Sequence, residues 1–122
     1  YRLPTHREWE YAARGGNGLK GYQFQYAGSD NLDEVAVWNT DVVSEIQTKK
    51  PNGLGIYDLC GNLDEWTFQR FGGKENILYA GGYYFIKQPE AFAFSWPYSG
   101  HIAVSPALRN RQLGFRVVCT AD

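Results

Sequence analysis

The apolar positions near the start of the chain predict a single short helix. In the stretch HREWEYAAR, residues 6–14, three apolar residues spaced at i, i+3 and i+4 form one face: Trp9, Ala12 and Ala13. Thr5, followed three residues later by Glu8, is a capping box that satisfies two backbone donors at the start of a helix. A Gly-Gly pair at 15–16 ends the pattern. We therefore predict a surface helix that is anchored by its tryptophan.

Beyond this helix, the alternation of apolar and polar residues predicts short strands separated by turns. Turn signals such as NGLKG, GSDN and KKPNG divide the region up to residue 53. The predicted strands cover six stretches: 35–38, 44–48, 54–61, 64–71, 75–86 and 113–119. A Gly-Gly pair at 81–82 interrupts the fifth stretch. It predicts either a β-bulge or a point where another part of the backbone comes close to this strand. One helix followed by many short strands indicates an α+β fold that is rich in loops.

The length and charge of the chain narrow the classes of protein it can belong to. Its 122 residues correspond to one domain with a single core. With 12 Lys and Arg against 13 Asp and Glu, and no basic stripe, a nucleic-acid partner is not expected. The apolar runs are far too short to insert into a membrane. Because the chain opens on YRLPTHREWE without an initiator Met, we expect a piece of a longer protein.

Two cysteines, Cys60 and Cys119, are too few for a disulfide framework and lack the spacing of a metal site. They could pair if the fold brings them together, and the sequence leaves that open. The favoured alternative is two small buried thiols, which behave as apolar side chains.

An acidic loop, DLCGNLDEW at residues 58–66, places carboxylates on both sides of a Gly-Asn turn. One explanation is a bound cation, because Ca²⁺ takes carboxylate and carbonyl oxygens and a tight Gly turn lets carbonyls point inward. The other explanation is structural: Asp58 caps its own turn, and Glu65 pairs with an arginine such as Arg116. The residues by themselves favour the structural explanation.

Four motifs of the chain occur in a fixed order: YRLPTHREWEYAARGG, KKPNGLGIYDLCGNLDEW, AGG and LGFRVV. Their order and spacing resemble the formylglycine-generating-enzyme, or sulfatase-modifying-factor, family. The resemblance covers nearly the whole chain and implies a C-type-lectin-like fold with a central antiparallel sheet and long loops. Members of the family normally have a strand and a helix before YRLP, which this chain lacks. We therefore expect residues 1–122 to form one domain of this type without its N-terminal part.

The resemblance also implies a structural calcium site in the acidic loop. Catalytic members of the family bind calcium there through an Asn or Asp side chain, two backbone carbonyls and the Glu of the Glu-Trp pair. By position these ligands are Asp58, the carbonyls of Gly61 and Leu63, and Glu65. Asp64 stands where the family usually has Trp or another bulky residue, and we expect its side chain to face solvent.

The catalytic chemistry of the family is not expected in this chain. The resemblance places the two copper-binding cysteines of the family's oxidases near Ile86 and Ala91, and the segment after the AGG motif has no cysteine there. Without a thiolate pair, a copper site is not expected. Related iron enzymes need three clustered histidines, whereas this chain has only His6 and His101. We expect no copper, no iron and no catalytic residues; the alternative is an oxidoreductase of the same family, or a related enzyme, with an unrecognised site.

The last third of the chain departs most from the family pattern and is rich in aromatic residues. Residues 91–107 contain no Lys, Arg, Asp or Glu. Within them aromatic residues alternate with small residues or proline, which would place four rings on one face of an extended strand: Phe92, Phe94, Trp96 and Tyr98. Aromatic side chains among small ones are typical of protein-binding surfaces. In the alternative interpretation, the first three of these rings belong to a core strand.

This segment resembles the hypervariable C-terminal region that the C-type-lectin-like domain carries in diversity-generating-retroelement variable proteins. All of residues 91–107 except Trp96 are types that adenine mutagenesis of AAC or AAT codons can produce. The resemblance implies a non-catalytic domain that binds a protein or cell-surface ligand through residues 83–112, which we call the aromatic segment. The expected binding residues are Tyr83, Tyr84, Phe85, Phe92, Phe94, Trp96, Tyr98 and His101. This role favours a secreted or cell-surface location; the remaining alternative is a structural domain whose aromatic face is buried in a larger assembly.

Overall fold

The predicted helix forms at the predicted place. In the computed structural model, which describes residues 1–16, 24–71, 73–94, 103–104, 107 and 110–121, helix α1 is His6–Ala13. The Thr5 hydroxyl accepts from the Glu8 amide, and the Glu8 carboxylate accepts from the Thr5 amide, so the capping box is complete. Trp9 and Ala13 are buried on one face of α1. The capping signal and the apolar spacing were therefore sufficient to predict this element.

The strands form one four-stranded sheet and one short parallel pair. The remaining elements are α2 (Leu32–Val35), β1 (Ala36–Val37), β2 (Cys60–Gly61), β3 (Asp64–Phe71), β4 (Lys74–Ala80), a 3₁₀ turn (Pro89–Phe92), β5 (Ala103–Val104) and β6 (Leu113–Gly114). The sheet order is β5-β4-β3-β6; β4 is antiparallel to β3 and to β5, while β6 is parallel to β3. β1 pairs with β2 in parallel. The α+β, loop-rich architecture is thus confirmed.

The core surrounds α1, whose Trp9 and Ala13 are buried together with residues of α2, β1, β2, the end of β4 and the 3₁₀ turn. Thr67 on β3 and Leu78 on β4 occupy facing positions in the register and are buried. α1 contacts both strands, and its Trp9 ring reaches the glycine turn that follows β4. The cluster of buried residues extends to Leu59 and to Phe92 in the 3₁₀ turn. The acidic loop and the first part of the aromatic segment are consequently both attached to this core.

Several predicted strands are shorter than the sequence suggested, and the backbone explains why. Residues 44–48 do not form a strand, because Gln47 has a φ of 63° and the chain turns there. In the stretch 54–61, Asp58 has a φ of 58°, which restricts the strand to β2. A residue with positive φ interrupts the extended backbone that hydrogen bonding between strands requires. The predicted strand 113–119 is reduced to β6 and one isolated bridge between Arg2 and Val118.

Two further sequence expectations concern the thiols and the membrane. Cys60 and Cys119 are both free, the first buried and the second exposed, so the expectation of two buried thiols holds for only one of them. In the part of the chain that the structure describes, no helix has both the length and the apolar character required to cross a membrane.

Candidate functional site

Glu65 is the buried charge at the centre of the acidic loop. It lies on β3 and faces the core, where its Oε2 accepts from the indole Nε1 of Trp9 at 2.7 Å. The guanidinium of Arg116 donates to both of its oxygens, Nε to Oε2 and Nη2 to Oε1, each at 2.6 Å. Two parallel hydrogen bonds of this kind are the strongest form of an arginine–carboxylate pair. The structural explanation of Glu65, in which it pairs with an arginine, is therefore confirmed.

Arg116 also joins the acidic loop to the end of the chain. Besides Glu65, its Nη2 donates to the backbone oxygens of Tyr57 at 2.9 Å and Asp58 at 3.2 Å. A guanidinium has five donors in a fixed plane, so it can satisfy a carboxylate and a carbonyl turn together. Its positive charge occupies the space between the start of the loop and β3.

Asp58 provides the one feature of this loop that points to a cation. Its Oδ2 accepts from the Gln47 amide at 2.7 Å, whereas its Oδ1 is buried without a hydrogen-bond partner among the described residues. All four residues that the resemblance assigns to calcium, Asp58, Gly61, Leu63 and Glu65, line a cavity of about 440 Å³. An unpaired buried carboxylate oxygen is costly, and a bound cation would offset that cost. Glu65 is already paired with Arg116, which lines the same cavity, so the unpaired Asp58 Oδ1 is the observation that supports calcium, and the calcium site stays a prediction.

Asp64 does not face solvent, contrary to the sequence expectation. Its exposure is 7%, because β6 pairs with β3 at this position and the turn after β4 lies against its side chain. Its Oδ1 accepts from the Gly82 amide at 2.8 Å. Burial raises the pKa of Asp64 to about 7; the hydrogen bond from Gly82 opposes this rise, and the negative charge of Glu65 adds to it.

The Gly-Asn turn between β2 and β3 fixes the start of the aromatic segment. The Gly61 amide donates to the Gly81 carbonyl at 2.9 Å, and the Tyr84 amide donates to the Asn62 carbonyl at 3.0 Å. Gly61 has a φ of 73°, and a Cβ there would overlap the Val37 carbonyl, so only glycine fits between these strands. The backbone on either side of Gly82 is therefore bound to the frame of the domain.

Three aromatic residues at the start of the segment reach the surface. The rings of Tyr83 and Tyr84 meet edge to face at 5.8 Å, and both residues are half-buried. Phe85 is 46% exposed, and the exposed Lys87 places its Nζ 5.1 Å from that ring. The Tyr83–Tyr84 pair and the Phe85 ring, with the Lys87 cation over it, together offer a large aromatic area for contact with a ligand.

Two of the expected binding residues have different surroundings from those expected. Phe92 is only 5% exposed and belongs to the core, where its ring meets Trp38 edge to face, so its assignment to a binding surface is wrong. Phe94 packs against the core, with the Arg14 guanidinium 4.3 Å from its ring centre. The chain forms a 3₁₀ turn at Pro89–Phe92, so the predicted alternation does not begin as a strand. Trp96, Tyr98 and His101 lie outside the described residues.

The positions linked to catalysis in the family carry no reactive side chains. Ile86 packs against the core, and Ala91 lies in the 3₁₀ turn. Burial raises the pKa of the Cys60 thiol to about 12, which keeps it protonated and unreactive. Within the described ranges, no three His, Cys, Asp or Glu side chains group as metal ligands would. The expectation that the chain has no catalytic residues stays a prediction.

Sequence reasoning missed the residues that bind the loops to one another. The Asn62 side chain accepts from the Ser44 amide at 2.9 Å and donates to the Ser44 carbonyl at 3.1 Å. Trp9 was predicted only to anchor α1, and its indole N–H also donates to Glu65. One signal was available in the sequence: the tryptophan N–H and the asparagine amide both lie next to apolar stretches. Because buried polar atoms need hydrogen-bond partners, these two side chains could have been expected to bind other parts of the chain.

Comparison with known proteins agrees with this geometry. Residues 1–121 match the sequence profile of the sulfatase-modifying factor enzyme 1-like domain. The chain belongs to this family. The sulfatase-modifying-factor domain shares the fold of Treponema denticola variable protein 1, with a TM-score of 0.71 and 26% identity over 93% of this chain and 45% of that one. Its α+β architecture is therefore the C-type-lectin-like fold implied by the sequence motifs.

Two curated relatives extend the comparison. The domain is 44% identical over 89 residues to the chaperone protein LppX of Paenibacillus barcinonensis, covering 57% of this chain and 31% of LppX. It is 35% identical over 90 residues to the inactive C-alpha-formylglycine-generating enzyme 2 of Bos taurus, covering 63% of this chain and 29% of that protein. The matched regions therefore span less than a third of either relative.

Proposed function

We propose that this sulfatase-modifying-factor domain is a non-catalytic ligand-binding domain whose binding surface is built on the aromatic segment, residues 83–112. The observation that carries the proposal is the presentation of Tyr83, Tyr84 and Phe85: partly exposed aromatic side chains on a backbone that is hydrogen-bonded to a rigid frame. A surface that is ordered before binding loses less entropy when a ligand binds. A variable protein and an inactive enzyme among its relatives support a role without catalysis.

The proposed surface includes a neighbouring loop, residues 39–44. The Asn39 amide donates to the Ile86 carbonyl and the Thr40 amide to the Tyr84 carbonyl, each at 2.9 Å. Val42 and Val43, which follow, are exposed. Exposed valines beside exposed aromatic residues form a larger apolar area than either alone, and such areas mark interaction sites.

The composition of this surface favours a protein or cell-surface ligand. Tyrosine and phenylalanine are enriched where protein interfaces gain most of their binding energy. The near balance of 12 basic and 13 acidic residues gives no support to a nucleic-acid ligand. The same role favours a location at the cell surface or outside the cell.

A structural calcium ion completes the proposal. The Asp58 side chain and the Gly61 and Leu63 carbonyls would hold it, with Glu65 contributing despite its pairing with Arg116. When bound, the ion would supply positive charge to the unpaired Asp58 Oδ1 and stabilise the loop. No copper or iron is proposed.

Binding to a defined array of purified cell-surface proteins and polysaccharides tests the proposed function. We expect the intact chain to bind at least one component, and the triple substitution of Tyr83, Tyr84 and Phe85 by alanine to abolish that binding without lowering the melting temperature by more than a few degrees. Tyr11→Ala is the matched control, because this exposed aromatic residue lies on α1. Equal binding by the triple variant, or copper-dependent oxidation of a cysteine-bearing peptide, would overturn the proposal.

A further inference from the structure

Asp64 contacts the chain at both ends of the aromatic segment. At the start, its Oδ1 accepts from the Gly82 amide at 2.8 Å. At the end, its own backbone amide donates to the Gln112 carbonyl at 2.8 Å. One residue of β3 therefore joins two points of the chain that are thirty residues apart in sequence.

Gly82 lies at a position that only glycine can occupy. Its φ is 76°, and a Cβ built on it would lie 2.5 Å from the ring of Phe92. The backbone therefore passes between the Asp64 carboxyl on one side and a buried aromatic ring on the other. Because Tyr83 and Tyr84 follow directly, the position of Gly82 determines where these two side chains are presented.

The contact between Asp64 and Gly82 is buried, since Asp64 is 7% exposed. Among the described residues, the titratable groups that face it are Glu65 on β3 and Tyr79 on β4, while Leu113 and Gly114 of β6 carry none. A buried hydrogen bond is costly to lose, because the group left without a partner pays its full desolvation penalty.

We propose that Asp64 is a positioning residue of the binding surface: its carboxylate binds the Gly82 amide and so fixes Tyr83 and Tyr84 in the orientation that meets a ligand. The functional part of this statement rests on the proposed function, whereas the hydrogen bond itself does not. Without this acceptor oxygen the Gly82 amide loses its partner, and the start of the aromatic segment then loosens while the β3–β4 hairpin stays folded.

Amide hydrogen exchange, followed by NMR on the ¹⁵N-labelled chain, tests the proposal without a ligand. Exchange of Gly82, normalised to the amides of β4, should rise at least about tenfold in Asp64→Ala. Asp64→Asn keeps an acceptor oxygen and should restore most of the protection. Glu8→Ala is the matched control, because it also removes a carboxylate that accepts from a backbone amide, that of Thr5 at the start of α1.

The ratio of Gly82 exchange to β4 exchange separates positioning from general stability. The proposal is overturned if Gly82 and the β4 amides change by the same factor in Asp64→Ala. It is also overturned if the Gly82 amide of the wild type is no better protected than a freely exchanging amide, and this second criterion applies even if Asp64→Ala does not fold. Failure of the array experiment with these results intact would remove the proposed function and leave the Asp64 contact established.

Discussion

Arg116 binds Glu65 through two hydrogen bonds of 2.6 Å, and its guanidinium also reaches two backbone carbonyls at the start of the acidic loop. The pair connects β3 with the chain that follows β6, next to the point where the aromatic segment ends. A second bidentate pair, Arg2 with Glu8, has similar bond lengths of 2.9 Å but lies at the surface. The two pairs differ mainly in burial, so they provide an internal comparison.

Glu65→Gln should lower the free energy of unfolding by about 2–4 kcal/mol, because it leaves a partly buried guanidinium without its counter-charge. The carboxylate side chain of Glu65 is only 10% exposed, against 39% for Glu8. Glu8→Gln, which retains the capping box, should cost about 1 kcal/mol or less. Urea denaturation of both variants measures the difference. Equal losses would contradict the assignment of Glu65 and Arg116 as the pair that stabilises the core.

Stability should decrease as the pH rises through neutrality because of Asp64. Its pKa is about 7 in the folded chain against a usual 3.8, so between these values the folded state binds more protons than the unfolded state. The contribution of Asp64 to stability therefore falls from about pH 4 to pH 7, and the full cost is present above pH 7. Asp64→Asn should be more stable than the wild type at pH 8 by on the order of 1–3 kcal/mol, with a clearly smaller difference at about pH 4. Melting curves at both pH values check this, and an unchanged difference between them would disprove it.

Phe92 and Phe85 should respond oppositely to truncation, although both were expected at one surface. Phe92→Ala should destabilise the domain by about 3–5 kcal/mol, because it opens a cavity against Trp38 and Gly82. Phe85→Ala should change stability by about 0.5 kcal/mol or less, since nearly half of its side chain is already exposed. Thermal unfolding of the two variants is the measurement. A mild effect of Phe92→Ala would place its ring outside the core.

Calcium should raise the melting temperature of the intact chain by a few degrees, and a chelator should reverse the shift. Asp58→Gly should abolish the response while leaving the left-handed backbone at this position unstrained, since its φ is 58°. Asp41→Ala, which removes an exposed carboxylate, is the control and should keep the response. Glu65→Gln is unsuitable for this test, because it also breaks the Arg116 pair. A calcium effect that persists in Asp58→Gly would exclude Asp58 as a ligand.

The elements predicted correctly are those whose signals lie within a few residues of one another. The capping box of Thr5 and Glu8 defined the start of α1, and the alternation in DEWTFQRF, bounded by a glycine turn, gave β3 its observed ends, Asp64–Phe71. The short strands were predicted to be longer than they are. The sequence does not mark a left-handed position when the residue there is not glycine, as at Gln47 and Asp58. Asparagine and aspartate accept this conformation more often than other residues, but not often enough to predict it.

The candidate site was less predictable because it depends on contacts between distant parts of the chain. An aspartate at position 64 was assigned to solvent on its residue type, yet its burial follows from pairing with Leu113, far along the sequence. The pairing of Glu65 with Arg116 was one of two explanations, and only the fold brings those side chains to 2.6 Å. Phe92 was grouped with exposed rings by an alternation that a 3₁₀ turn interrupts.

The close contact between Gly82 and the Phe92 ring limits which positions of this domain can vary. With a Cβ excluded at 2.5 Å, position 82 cannot be diversified, and the ring that excludes it cannot be diversified either. Mutational libraries aimed at new specificities should therefore start at Tyr83 and leave Phe92 constant. Substitutions that begin at Tyr83 would leave the contact between Gly82 and Phe92 unchanged.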